Sequence, residues 1–308
     1  MEKASPLHRI GVDLGGTKIE AVLLDPSGAV ARRERIPSPT GNYHATLGAI
    51  RALVLRLETG LGENCPVGIG IPGTVSPATG RVKNANSTWL IGHPLDRDLA
   101  RVLERPVRLA NDADCFALSE ATDGAGRGEP IVFGAILGTG VGGGVVAHGR
   151  LLAGPNAIAG EWGHSPLPWP EDEERPGALC YCGKHGCIET FLSGPGFARD
   201  YARESGETVA PAEIARRAGQ GDPIADTALR RYEDRLARSL ATVINLIDPY
   251  VIVLGGGLGK IERLYRTVPA IWDRYVFSDT VATRLVPPVH GDSSGVRGAA
   301  WLWPAIPP

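Results

Sequence analysis

The most specific chemistry in this sequence lies in one histidine and three cysteines. His164 is followed by Cys180, Cys182 and Cys187, the cysteines falling within the stretch CYCGKHGC. One imidazole and three thiolates make the ligand set of a closed tetrahedral Zn²⁺ site. Gly183 and Gly186 allow the tight turn that brings the thiolates together. Four protein ligands leave no open position, so the expected ion is structural rather than catalytic. His185, inside the turn, is the alternative imidazole, and Cys65 and Cys115 read as ordinary buried thiols. Two carboxylates flank the cluster: Glu161, three residues before His164, and Glu189, two after Cys187. A bound metal would fix both on one rigid loop system, suited to bidentate hydrogen bonds with sugar hydroxyls. On spacing alone, surface ion pairing fits them equally well.

A second set of residues suits phosphate. Asp13-Leu14-Gly15-Gly16-Thr17-Lys18 follows an apolar run, as does Gly138-Thr139-Gly140, and Gly255-Gly256-Gly257 follows a third. Glycines let successive N–H groups converge on phosphate oxygens. Asp13 can hold Mg²⁺ through water, while Thr17 and Lys18 add donors. A single hairpin of this kind is as compatible with an empty turn as with a ligand. Three glycine turns at strand ends favour a triphosphate. The order Gly-Thr-Lys followed by a strand is not the Walker order, and Gly140 to Gly144 lacks the following helix that a dinucleotide fingerprint needs. Asn111-Asp112 stands between a strand and a helix, where the positive end of the helix dipole favours an ionised carboxylate. Asp112 there can accept a hydroxyl proton, and either residue can also cap the helix. Asn86 offers an amide to a hydroxyl, and Trp89, Trp162 and Trp169 suit sugar stacking or plain packing.

The elements that must position these groups follow from apolar spacing. Residues 10–36 read as three antiparallel strands with a turn at Asp25-Pro26-Ser27-Gly28. Leu47, Ile50, Val54 and Leu57 mark one helix face, and Leu95, Leu99 and Leu103 another. Val67 to Ile71 and Val107 to Leu109 are short strands, and a helix begins at Ala113. Ile131 to Ala147 repeats the plan of strand, Gly-Thr turn and strand, which implies one such hairpin per domain. A long helix spans 223–247, stopped by Asp248-Pro249, and Tyr250 to Leu254 is a buried strand. No linker is rich in Ser or Pro, so two tightly joined domains are expected, with a hinge near 110–125.

Composition narrows the partners. The chain has 308 residues, 43% of them hydrophobic, enough for two cores. A formal charge of −2 argues against nucleic acid and anionic lipid as partners. No apolar run reaches membrane-spanning length, and the N-terminal residues lack a signal-peptide order. A cytoplasmic location is expected, where clustered cysteines read as metal ligands before disulfides.

In order along nearly the whole chain, these motifs resemble the ROK family of repressors, open reading frames and kinases. The resemblance rests on Asp13 to Lys18, Gly70-Ile71-Pro72-Gly73, Asn111-Asp112-Ala113, Leu137 to Gly144, Gly160-Glu161-Trp162-Gly163-His164, Cys180 to Gly183 with Gly186 to Glu189, and Asp248-Pro249 leading to Gly255-Gly256-Gly257. It implies an α/β, actin-like (ribonuclease H-like) ATPase fold, with two α/β domains around a cleft. The first domain would be 1–118, completed by 290–308, and the second 119–289. It implies ATP as phosphate donor, Mg²⁺ and structural Zn²⁺, with Asp112 as catalytic base. Gly73, Asn86, Asn111, Asp112, Glu161, His164 and Glu189 would bind the sugar, His164 using one ring nitrogen for zinc and its other edge for the ligand. Asp13, Gly15, Gly16, Thr17, Lys18, Gly138, Thr139 and Gly140 would hold phosphates, and Gly255, Gly256 and Gly257 would lie near adenine. Family members are commonly homodimers. Asp114 departs from the family's usual Asn. The stretches 84–89 and 162–170 look most like fructokinases and mannokinases, which implies a hexose 6-kinase acting on fructose or mannose. N-acetylglucosamine kinase and glucokinase are the alternatives within the family. The family's repressors carry a helix-turn-helix before the first glycine loop, for which this sequence has no room. A non-catalytic sugar sensor is the alternative of a different class, and intact Asp112 with both phosphate hairpins argues against it.

Overall fold

The computed structural model describes residues 8–303. Its contacts divide into two compact units. The first comprises the described parts of Met1–Arg127, Arg150–Ala159 and Asp292–Pro308; the second comprises Gly128–Gly149 and Gly160–Gly291.

The first unit begins with β1 (Arg9–Leu14), β2 (Lys18–Leu24), β3 (Val30–Pro37), α1 (Tyr43–Glu58), β4 (Val67–Ile71), β5 (Thr74–Val75), β6 (Val82–Lys83), α2 (Leu95–Leu103), β7 (Val107–Asn111) and α3 (Asp112–Thr122). Its main sheet runs β3-β2-β1-β4-β7. The first two hairpins are antiparallel, and β1, β4 and β7 are parallel. The register sets Asp13 beside Gly70, and Gly70 beside Ala110. Parallel strands end on one edge, so the first glycine turn, the Pro72-Gly73 bend and Asn111-Asp112 all emerge there, the edge where α/β sheets bind ligands. Helix α1 buries Leu47, Ile50, Val54 and Leu57, the face its spacing implies, and Asn42 caps it by accepting the Ala45 N–H.

The second unit holds β8 (Ile131–Leu137) and β9 (Val141–Ala147). The chain then passes through β10 (Arg150–Leu151), the start of the segment counted with the first unit. It returns for α4 (Ile188–Leu192), α5 (Gly194–Ser205), α6 (Pro211–Gly219), α7 (Pro223–Ile247), β11 (Val251–Gly255), α8 (Leu264–Trp272) and β12 (Arg284–Val286). Within this unit the strands run β9-β8-β11-β12, with β8–β9 antiparallel and the others parallel. Each unit therefore has the antiparallel hairpin and adjoining parallel strands that the repeated motif implies.

The last helix, α9 (Ser294–Trp301), belongs to the first unit. Gly11 and Gly68 give it room: a methyl at either would fall about 2 Å from an α9 carbonyl oxygen, that of Val296 or Ala299. Contacts keep all of α3 and the chain to Arg127 with this unit, and add Arg150–Ala159. The sequence reading placed 119–127 and 150–159 in the second domain. Helix α3 packs against α9, which keeps the whole helix in the first unit.

Helix α7 also buries charge. Asp222 caps it and Pro223 begins it, while Asp248, at φ 45°, ends it. Arg235 and Arg238 point inward to Glu174, at 2.7 and 2.9 Å. Arg238 also donates to the carbonyls of Pro168 and Trp169. Burial opposes the Glu174 charge, but hydrogen bonds from both guanidinium groups outweigh it and hold the carboxyl down at about 2. The chain from Pro168 to Glu174, between His164 and the cysteines, is thereby tied to α7.

Candidate active site

In the first unit the edge of the sheet gathers the acidic residues. Asn111 precedes α3 and caps it, its Oδ1 accepting the Ala113 N–H at 2.9 Å while its Nδ2 donates to the Gly73 carbonyl at 3.1 Å. The amide thus ties the β7 end to the bend after β4, using about half of its hydrogen-bonding capacity. Asp112 takes the first helical position and its Oδ1 also accepts the Ala113 N–H, at 2.8 Å. Asp13 ends β1. Its burial, with the Asp112 and Glu20 charges, pushes its carboxyl up to about 6 against the pull of Lys18 and Arg35. Glu20 is itself buried and paired with Arg33 and Arg35. This crowding of negative charge beside Asp13 is what a divalent cation would relieve.

The first glycine turn is held from behind. Gly15 N–H donates to the Lys18 carbonyl, and Ser38 donates to the carbonyls of Gly15 and Thr17. Gly16, Thr17 and Lys18 are exposed. The fold does not need a glycine at 16: its φ is ordinary, and a methyl there would meet nothing closer than Ser87 Oγ at 3.6 Å. Gly256 differs, with φ at 80° and no room for a methyl beside the Leu137 carbonyl. A glycine that the backbone does not require leaves open approach for a ligand. Asn86 is exposed on the segment before Ser87.

In the second unit the turn at Gly138-Thr139-Gly140 joins β8 to β9. The Gly194 N–H at the start of α5 donates to the Gly138 carbonyl at 2.7 Å, and the Gly256 contact with Leu137 brings the turn after β11 to the same place. Sequence reasoning missed Gly194; Ser193 with Pro195, an N-cap followed by proline, was the available signal. Glu189 Oε2 accepts the Val141 N–H at 2.9 Å, fastening this carboxylate to the same hairpin.

His164, Cys180, Cys182 and Cys187 present ligand atoms that all lie within 4.8 Å of one another. The Cys182–Cys187 sulfur separation is 3.6 Å, and Cys180 Sγ lies 3.5 Å from His164 Nδ1. Sulfur and nitrogen ligands about 2.0–2.3 Å from a tetrahedral Zn²⁺ are separated by roughly 3.5–3.8 Å, so these residues fit the ion. His185 is not among them; it pairs with Leu179 across the turn. The Nε2 of His164 meets the Tyr181 hydroxyl at 2.8 Å. Burial, then the charges of Glu189 and Glu161, push that hydroxyl up to about 12. Tyr181 was not anticipated as a partner of His164, since nothing in the spacing marks it. Trp162 is packing: it is buried edge-on to Phe133 and donates to the Gly142 carbonyl. Trp89 donates to Thr46, and Trp169 leans on Tyr275. Cys65 and Cys115 are buried.

A cavity of about 380 Å³ in the first unit is lined by Asn111 and Asp114 with apolar groups including Leu109, Leu151 and Leu152. It touches neither Asp112 nor Asp13. Asp114 thus shares this cavity with Asn111.

Two α/β units built on this repeated plan, with glycine turns at their strand ends, define the actin-like ATPase class. The sequence model of the ROK family matches residues 9–306, and the chain belongs to that family. It is 39% identical over 296 residues to an N-acetyl-D-glucosamine kinase of Yersinia pseudotuberculosis, covering 95% of this chain and 97% of the relative. A relative of the same name from Pectobacterium atrosepticum is 40% identical over the same share. The ROK hexokinase of Thermus thermophilus matches in structure with a TM-score of 0.84 and 31% identity, over 96% of this chain and 97% of that one. No described helix is long and apolar enough to cross a membrane.

The raised Asp13 pKa makes a signed prediction. A folded value near 6 against 3.8 unfolded means its contribution is fully present below 3.8 and lost as pH rises through 6. Asp13→Asn keeps the shape without the charge. In denaturant titrations without divalent cations it should be more stable than the parent near pH 8, by on the order of 1–3 kcal/mol. The advantage should shrink as pH falls through about 6. A pH-independent difference would contradict the assignment.

Proposed function

We propose that this chain is an ATP-dependent hexose kinase, transferring the γ-phosphoryl group to the sugar 6-hydroxyl. The observation that carries the reading is Asp112 at the start of α3, near enough to Asp13 and its glycine turn to raise the Asp13 pKa. Phosphoryl transfer asks mainly for positioning and charge stabilisation, with a carboxylate to orient the nucleophile. Asp112 accepts the 6-hydroxyl proton as the sugar oxygen bonds to phosphorus and the bond to the departing ADP breaks. Gly15, Gly16, Thr17 and Lys18, with Gly138, Thr139 and Gly140, hold phosphates, and Gly255 to Gly257 serve the adenine side. Asn86, Glu161, His164 and Glu189 bind sugar hydroxyls, with Gly73 and Asn111 as backbone support. Mg²⁺ supplies neutralisation of the phosphates, and Asp13 would hold it through water. His164, Cys180, Cys182 and Cys187 would hold Zn²⁺, which supplies rigidity to the loop bearing Glu161 and Glu189.

N-acetylglucosamine moves ahead of fructose and mannose as the substrate, because relatives named for it are 39% and 40% identical across 95% of the chain. Fructose or mannose is the second reading, favoured by the likeness of 84–89 and 162–170 to fructokinases and mannokinases. Such sugars differ by few pocket contacts, so modest changes switch preference. Assays with ATP and Mg²⁺ on N-acetylglucosamine, fructose, mannose and glucose should give the highest kcat/KM with N-acetylglucosamine. A preference for fructose or mannose would move the assignment to the second reading, and no turnover with any hexose would remove the kinase. Metal analysis of active protein should find one zinc per chain. Its removal by chelation should lower the unfolding midpoint, whereas zinc-free protein of unchanged stability would sink the structural role.

A further inference from the structure

Ser87 flanks the 3-10 turn Thr88–Leu90, at the position where a serine hydroxyl ordinarily accepts a backbone N–H. It makes no such bond. The residue is 1% exposed, and its Oγ has no hydrogen-bond partner. A buried hydroxyl left in that state is costly to the fold, and a bond gained on ligand binding would remove the cost. What it faces is the tip of the first glycine turn. A methyl built on Gly16 would lie 3.6 Å from Ser87 Oγ and touch nothing else within 4 Å. Gly16 is exposed and its backbone does not demand glycine. A shielded, unpaired hydroxyl next to Asn86 thus abuts the exposed glycine turn proposed above to hold phosphate.

We propose that Ser87 is a positioning residue for phosphoryl transfer. When the Gly15-Gly16-Thr17 turn holds phosphate, the Ser87 hydroxyl takes up its missing hydrogen bond with the loaded turn at Gly16. The bond ties the phosphate turn to the segment that carries Asn86. This inference rests on the kinase reading above and adds a residue to it. A hydroxyl can donate or accept, so it can follow a backbone group that reorients on loading.

Ser87→Ala should lower kcat/KM for ATP by about fivefold or more, the share of one hydrogen bond. The KM for sugar should stay within about twofold. The unfolding midpoint of the ligand-free variant should equal or exceed the parent's, because the unpaired hydroxyl is gone. Ser87→Cys keeps the shape with a weaker hydrogen-bonding group; it should fall between, and it carries the test if the alanine variant does not fold. An unchanged kcat/KM for ATP, or a loss confined to the sugar KM, would overturn the proposal. Calorimetric binding of the ATP analogue AMPPNP, independent of turnover, should weaken in both variants. That readout separates failure at Ser87 from failure of the kinase reading, which would appear as a parent protein inactive on every hexose.

Discussion

Like charge held at one sheet edge is the constraint on which the first unit's chemistry depends. The parallel arrangement of β1, β4 and β7 sets Asp13 in register with Gly70 and Ala110, so that Asp13 and Asp112, with β4 between their strands, lie toward the same edge of the sheet. Burial of Asp13, then repulsion from Asp112 and Glu20, raises its pKa to about 6. A bound divalent cation would offset the rise, because a cation favours the ionised carboxylate that burial opposes. The basic residues are placed accordingly. Lys18 and Arg35 pull the Asp13 pKa down, and Arg33 and Arg35 neutralise Glu20 behind it.

The second unit meets a different constraint, rigidity around Glu161 and Glu189. Glu189 is fixed by the Val141 N–H, and His164 stands between Cys180 on one ring nitrogen and Tyr181 on the other. The chain between His164 and the cysteines is anchored on α7 by the buried Glu174, Arg235 and Arg238 set. Buried ion pairs add little net stability over apolar packing, yet losing one partner leaves an uncompensated charge. The set therefore works as a locator of the loop, and the four-ligand cluster closes the loop's other end. Carboxylates that hold a sugar by hydrogen bonds gain from a frame that costs no reordering on binding.

Local patterns made much of this legible. The helix 223–247, the strand Val67 to Ile71 and the two glycine hairpins follow from apolar period, proline and turn chemistry, and the gathering of His164 with the three cysteines follows from residue type and spacing. What escaped the sequence depends on long-range packing. Arg235 and Arg238 look solvated on a helix until Glu174, more than sixty residues away in sequence, supplies their partner. Tyr181 meets His164 only because the cysteine turn folds back. The excursion Arg150–Ala159 into the first unit leaves no periodic trace. The 118/119 division failed because α3 runs on to Thr122 against α9, a helix at the far end of the chain.

The choice of hexose turns on a few pocket groups, but the central claim is that Asp112 takes the proton of the attacking hydroxyl. The measurement that tests it most directly is turnover of Asp112→Asn with the preferred hexose, ATP and Mg²⁺, beside a sugar titration of the same protein. The account predicts turnover lower by about 10²–10⁴-fold, with sugar affinity within a few-fold of the parent. Turnover within about tenfold of the parent would contradict it.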